Sequence, residues 1–186
     1  AMLRIKKDYP DMKLIIILRE PISRAYSHYN HIQQVNINSP LGKYKNLSLE
    51  EYIKFDLSKG ENYQSELAII QRGYYIKQLN FLYKHFPSKN VKIIIGEYYS
   101  KNPLKELNNI CNFLNISNFK SVHNIIYENT RQYQLPISKN DYDTLQKIYK
   151  PYNEQLYKFL GYRIKEWDTA SHNKMIEYQK ENFKKA

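Results

Sequence analysis

The sequence predicts an α/β domain in which a parallel sheet is flanked by helices. Two short apolar runs, Leu14–Leu18 and Val91–Ile95, lack polar alternation, which is typical of strands in a parallel sheet covered on both faces. Most of the remaining chain has helical spacing, so we expect a helix-rich domain. The 186 residues suffice for one domain with a core, but two strands alone cannot make such a sheet, so the chain reads as part of a larger domain.

The first strand leads directly into a helix. Arg19 ends the apolar run, Pro21 suits the first helical position, and Arg24 and Ser27 lie one and two turns further on. Free backbone N–H groups at a helix start favour an anion, and the cationic side chains would add to that preference. Such a junction is also common as plain scaffold, and the pattern alone leaves both interpretations open.

The segments that follow are mostly helices. We expect the first helix to continue to about Val35, a polar loop to cover 36–46, and Ser48 to cap a helix that ends near Leu57. Residues 62–70 and 74–86 have helical spacing and predict one broken helix or two successive ones.

After the second strand, Asn102-Pro103 forms a cap and first-position pair for a helix that contains Cys111. Further on, Ser138 would cap a new helix, and 149–160 would form another that ends at Gly161. Asp168 would cap a last helix that reaches about Phe183.

Charge and composition limit the function classes. The formal net charge of +11 favours an anionic partner such as a nucleotide, an acidic glycan or nucleic acid, although a lysine-rich surface explains it equally. The lone cysteine, Cys111, excludes an internal disulfide and favours a reducing, cytoplasmic location, with buried packing expected rather than catalysis. The five histidines show no metal-ligand spacing, and no apolar run approaches the 18 residues of a membrane span.

The stretch ILREPISRAYSHYNH, residues 17–31, resembles the 3′-phosphate-binding segment of sulfotransferases that use 3′-phosphoadenosine 5′-phosphosulfate (PAPS). The matching positions are Arg19, Pro21, Arg24, Ala25 and Ser27. The resemblance implies the P-loop-NTPase-like sulfotransferase fold, PAPS as donor and the bisphosphate PAP as product. It implies that Arg19 and Ser27 hold the 3′-phosphate and that Arg24 belongs to the same site. His31 matches a histidine near the reacting centre of the heparan-type members, where it would be an auxiliary catalytic residue.

Two other segments are similar to parts of the nucleotide site. Residues 71–75 resemble the family's Arg-Gly-x-Tyr segment, which makes Arg72 and Tyr74 candidates for nucleotide binding. Residues 129–133 resemble a basic loop that folds over the 3′-phosphate and adenine. The candidates there are Thr130, Arg131 and Tyr133.

The resemblance covers about residues 10–167 and makes 1–167 the C-terminal portion of a sulfotransferase domain, followed by a basic helix or tail at 168–186. The family's loop for the 5′-phosphosulfate, and its catalytic base, have no match here. We therefore expect a missing N-terminal half or another chain to supply them. The expected reaction is sulfuryl transfer to a hydroxyl or amine, for example of a glycan. The alternatives are a catalytically silent nucleotide-binding module and, less favoured, a basic nucleic-acid-binding domain.

Overall fold

The computed structural model describes residues 2–35, 38, 41–63, 65–122 and 136–183. In chain order its elements are α1 (Met2–Asp8), β1 (Leu14–Leu18), α2 (Pro21–Gln34), α3 (Leu49–Ser58), α4 (Tyr75–Tyr83), β2 (Val91–Ile95), α5 (Gly96–Lys101), α6 (Pro103–Leu114), α7 (Lys139–Leu160), α8 (Lys165–Asp168) and α9 (His172–Phe183). The chain divides into two compact units, one formed by 1–20 and 76–127, the other by 21–75 and 128–186.

The first unit contains the sheet. Strands β1 and β2 pair in parallel, with Leu14 opposite Val91 and Leu18 opposite Ile95, and this confirms the predicted parallel α/β class. Helix α6 begins at the predicted Asn102-Pro103 pair, where the Asn102 side chain accepts the Lys105 N–H. Cys111 is buried in this helix, as expected.

One face of β1 is open within the part of the chain that the structure describes. Ile17 is 68% exposed and Ile15 37%, whereas Leu18 is 3% exposed and Ile94, on the paired strand, only 2%. The prediction that both faces of the sheet are covered concerned a larger domain, and within the described residues one face of β1 has no such cover. The sequence of β1 is uniformly apolar, and its burial alternates.

The second unit is a helical assembly around one apolar core. Helices α2, α3 and α7 contribute buried side chains, and the segment 67–70 lies within the same core. Ser48 caps α3 as predicted, through a reciprocal pair with Glu51: the Glu51 N–H donates to Ser48 Oγ, and the Glu51 carboxylate accepts the Ser48 N–H. Gly161 ends α7 in a left-handed conformation, also as predicted.

Three helix predictions are corrected. The described part of the segment 62–70, residues 62–63 and 65–70, does not form a helix; a short 3₁₀ turn at Gln71–Gly73 precedes α4 instead. Helix α7 runs unbroken through Pro151, where two helices were expected. Asp168 ends α8 and binds Arg163, whose Nε lies 2.7 Å from its carboxylate, while Ser171 accepts the Lys174 N–H at the start of α9.

Among the described helices, none is both long and apolar enough to cross a bilayer.

Candidate functional site

The end of β1 is fixed by the segment that follows β2. The Glu97 carboxylate accepts the Glu20 N–H at 2.8 Å, and Gly96 lies so close that an added Cβ would sit 3.3 Å from the Leu18 carbonyl oxygen. Arg19 therefore lies between two restrained backbone positions in the first unit, and its side chain is half-buried. Gly96 and Glu97, which follow β2, therefore hold the backbone that carries Arg19.

Helix α2, in the second unit, has one apolar face and one polar stripe. The apolar face includes the buried Ile22, Tyr26 and Ile32. The polar stripe has the spacing i, i+3, i+4, i+7, which puts its members on one face of the helix. Its members, all half-buried, are Arg24, Ser27, His28 and His31. The first turn of α2 carries no acidic residue, which leaves its N-terminus suited to an anion.

Arg24 is held by the protein itself. Its Nη2 donates to the Ile69 carbonyl oxygen, and its side chain also hydrogen-bonds Tyr149, whose pKa burial raises. Its Nε is buried with no acceptor among the residues that the structure describes. Arg24 therefore stabilises the segment before the 3₁₀ turn and brings a buried positive charge to the polar stripe of α2.

His28 lies between two cations. Burial and the charges of Arg24 and Arg72 together lower the pKa of His28 to about 4, opposed by a hydrogen bond with the backbone of Glu66. The imidazole is consequently neutral at pH 7. The second unit thus brings together Arg24, His28 and Arg72, a group that we call the cationic cluster. Its positive potential favours an anion at this position.

The Arg-Gly-x-Tyr segment has a structural basis at its glycine. A Cβ at Gly73 would lie 2.5 Å from Cε1 of Tyr149, whose ring is almost fully buried, so no larger residue fits without repacking. Arg72 is exposed, whereas Tyr74 is buried and stacks on Tyr152 with ring centroids 3.9 Å apart. Tyr74 therefore packs in the core of the unit, and burial raises its pKa.

The remaining candidates divide into two groups. His31 is half-buried on α2, and its Nδ1 is buried without a hydrogen-bond partner among the described residues. The candidates of the basic loop lie outside the described residues: Thr130, Arg131 and Tyr133.

Sequence reasoning missed His28 and Asp56. His28 follows Arg24 by four residues and so shares its helix face, a spacing that was readable from the sequence. Asp56 is fully buried on α3 and hydrogen-bonded to Ile70. No local pattern signals that contact, because its partners are 14 and more residues away. Within the described ranges no group of three or more His, Cys, Asp or Glu side chains is arranged to hold a metal ion.

These features define a class: a helix-rich α/β chain whose strand-to-helix segment and neighbouring cations suit an anionic ligand. The sulfotransferase domain model matches residues 2–185, and the chain belongs to this family. It is 23% identical to human heparan sulfate glucosamine 3-O-sulfotransferase 3B1 over 90% of its length, and 25% identical to mouse heparan sulfate glucosamine 3-O-sulfotransferase 5 over 85%.

A solved structure has the same fold. The crystal structure of a sulfotransferase from Alicyclobacillus acidocaldarius superposes with a TM-score of 0.72 at 21% identity, over 90% of this chain and 62% of that one. The chain spans about half the length of the curated relatives it matches, 46% of the human protein and 50% of the mouse protein. The predicted sulfotransferase resemblance and fold class are confirmed.

Proposed function

We propose that this chain is the nucleotide-binding, C-terminal portion of an enzyme that transfers a sulfuryl group from PAPS to a hydroxyl or amine. The observation that carries the proposal is the family match over residues 2–185, which includes the strand-to-helix segment with its Arg and Ser positions. The names of the relatives describe transfer to heparan sulfate glucosamine, and an acidic or neutral glycan is accordingly the acceptor class that we propose.

In this proposal the segment 14–31 binds the 3′-phosphate of the nucleotide. Arg19 donates a charged fork and Ser27 a hydroxyl, as in the family pattern. Arg72 adds positive charge, and Thr130, Arg131 and Tyr133 close over the nucleotide. Because Arg24 and Tyr74 are engaged in packing and hydrogen bonds within their own unit, their part in the site is to shape it.

The electrostatic environment of α2 fits a polyanionic donor. Burial, together with the charges of Arg24 and Arg72, lowers the pKa of His28 to about 4, and these two charges give a positive potential on this face of α2. The donor supplies an activated sulfuryl group, and the chain's own cations would stabilise the negative charge that remains on the nucleotide. His31 would orient the acceptor or stabilise charge next to it. We propose that a further portion of the domain supplies the base that deprotonates the acceptor.

The open face of β1 supports the view that a further portion of the domain packs there. A strand with Ile15 and Ile17 exposed is incomplete as a layer of an α/β fold, in which helices or further strands cover the sheet. We propose that this portion also provides the grip on the 5′-phosphosulfate.

The first test is a calorimetric titration with 3′,5′-adenosine bisphosphate. We expect binding at millimolar affinity or better, weakened about 10-fold or more by Arg19→Ala or Ser27→Ala, because each removes a hydrogen bond to a charged group. Arg4→Ala and Ser58→Ala are matched controls, since both residues are exposed and neither belongs to the proposed site. Equal loss in the controls, or no binding by the wild type, would contradict the proposal.

Two alternative functions predict different binding and transfer results. A silent module would bind the bisphosphate but transfer no sulfuryl group from PAPS, even when a longer form of the protein is assayed. A nucleic-acid-binding domain would bind DNA or RNA with strong salt dependence and would not bind the bisphosphate.

A further inference from the structure

Asp56 is a buried acid with a specific backbone partner. It lies on α3 with 0% of its surface exposed, and its Oδ2 accepts the Ile70 N–H at 2.6 Å. Its main-chain oxygen accepts Nε2 of Gln71 at 3.0 Å. The first contact reaches the end of the segment 62–70, which was predicted to be helical, and the second reaches the 3₁₀ turn that follows it. A buried carboxylate is costly, so its presence here calls for a role.

The same segment is held from two other helices. Arg24 of α2 donates to the Ile69 carbonyl oxygen, and the Tyr149 hydroxyl of α7 lies 3.3 Å from that oxygen and 3.2 Å from the Ile70 carbonyl oxygen. The backbone of 69–71 is therefore fixed by side chains from three helices of one unit. The Ile70 carbonyl oxygen also accepts the Gly73 N–H at 2.9 Å, so the segment leads into the 3₁₀ turn and not into an α-helix.

Arg72 follows this fixed segment directly. On its other side, Gly73 is pressed against the Tyr149 ring, so the backbone is restrained both before and after the arginine. The charge of Arg72 reaches His28, which places it in the cationic cluster. Fixing the backbone that carries Arg72 limits the region that its guanidinium group can reach, and this reduces the backbone entropy lost when it binds a ligand.

We propose that Asp56 is a positioning residue: through Ile70 it fixes the backbone that carries Arg72, and so sets the cationic cluster for the phosphate or sulfate group of the nucleotide. The identity of that ligand rests on the proposed function; the positioning of Arg72 does not. Burial raises the pKa of Asp56 to about 6, opposed by hydrogen bonding from Ile70 and Gln71 and by the charge of Arg24. Asn at this position would retain an acceptor for the Ile70 N–H.

The histidine of the cluster reports on this positioning without any ligand. We would follow the His28 ring protons by NMR from pH 3.5 to 8. The pKa of His28 should lie near 4 in the wild type and in Asp56→Asn, and should be higher in Arg72→Ala because one lowering charge is gone while burial and Arg24 still act. Asp56→Ala should raise it in the same direction. A folded Asp56→Ala with the pKa of His28 still near 4 would overturn the proposal.

A second readout uses the wild-type protein and does not depend on Asp56→Ala folding. The Ile70 amide nitrogen shift should titrate with an inflection near pH 6, and Asp56→Asn should abolish it. Absence of that inflection in the wild type would mean that the carboxylate does not hold Ile70. Glu50→Gln is the matched control, since Glu50 is an exposed acid on the same helix, paired with Lys54.

A double-mutant cycle based on ligand affinity tests whether Asp56 acts through Arg72. Affinity for 3′,5′-adenosine bisphosphate should fall about fivefold in Arg72→Ala and by a similar factor in Asp56→Ala, with no further loss when both are combined. Fully additive losses would contradict action through Arg72. If the wild type does not bind the bisphosphate, the proposed function fails, and the NMR readouts still decide the role of Asp56.

Discussion

The two units differ in how completely their apolar surface is covered. In the second unit helices α2, α3 and α7 enclose a core that includes fully buried tyrosines as well as aliphatic side chains. In the first, a two-stranded sheet leaves Ile15 and Ile17 of β1 exposed. The apolar side chains of the second unit are therefore enclosed by its own helices. The first unit presents a sheet face that an α/β fold ordinarily covers.

Truncation of one buried and one exposed isoleucine is the strongest test of this difference. Ile94→Ala should reduce the free energy of unfolding by about 3 kcal/mol, because it leaves a cavity beside a buried strand. Ile17→Ala should reduce it by less than about 1 kcal/mol, since that side chain is 68% exposed. Urea unfolding monitored by circular dichroism measures both. Equal losses would mean that β1 is covered in solution.

A pair of glycines gives the next largest effect. Gly73→Ala should cost about 3 kcal/mol, because its Cβ would lie 2.5 Å from the enclosed Tyr149 ring. Gly96→Ala, in the first unit, should cost about 1 kcal/mol or less, since the nearest atom is 3.3 Å away. The same unfolding assay applies, and a mild effect of Gly73→Ala would show that the second core accommodates extra volume.

Removal of one hydroxyl tests the polar part of the second core. Tyr149→Phe deletes the group that reaches the carbonyl oxygens of Ile69 and Ile70 while preserving the ring, so we expect a loss of about 1–2 kcal/mol. Tyr9→Phe, at an exposed tyrosine, is the control and should be neutral. If both substitutions are neutral, the hydroxyl does not help to hold the segment before the 3₁₀ turn.

The smallest effect is the pH dependence of stability in the second unit. The pKa of His28 is lowered from 6.5 to about 4, so its contribution to stability is lost as pH falls from 6.5 to 4. The pKa of Asp56 is raised from 3.8 to about 6, so its contribution is lost as pH rises from about 4 to 6. The two trends oppose each other in the wild type.

Single substitutions should separate these trends. Relative to the wild type, Asp56→Asn should make the free energy of unfolding increase more steeply with pH between 4 and 6, and His28→Gln should make it decrease. Denaturant titrations at half-unit pH intervals provide the measurement. Parallel curves for all three proteins would contradict the assignment of either shifted pKa.

Local signals made much of the fold predictable. The apolar runs gave both strands with their observed bounds, and the caps at Ser48, Asn102 and Gly161 marked helix ends because their hydrogen bonds are made within a few residues. The segment 62–70 was misassigned because Ile69 and Ile70, at its end, are bound through their backbone by the side chains of Arg24, Asp56 and Tyr149. Those residues are 14 to 80 positions away, and no sequence window contains them.

The candidate site shows the same division between local and distant information. Helical spacing placed Arg24 and Ser27 one and two turns into α2, whereas His31 was named by the resemblance to the family. Arg24 donates a hydrogen bond to Ile69, and the charge of Arg72 lowers the pKa of His28. Both interactions depend on how the 3₁₀ turn packs against α2. That packing joins residues far apart in the chain, so no local sequence pattern predicts it.

We propose that residues 14–31, together with Arg72, bind the phosphate of a nucleotide sulfate donor. Amide NMR of the isotope-labelled protein, titrated with 3′,5′-adenosine bisphosphate at physiological salt, tests it most directly. We predict saturable shifts concentrated at 19–31 and 72, and their loss in Arg19→Ala. Shifts scattered over surface lysines and abolished by salt, or no shifts at all, would contradict it.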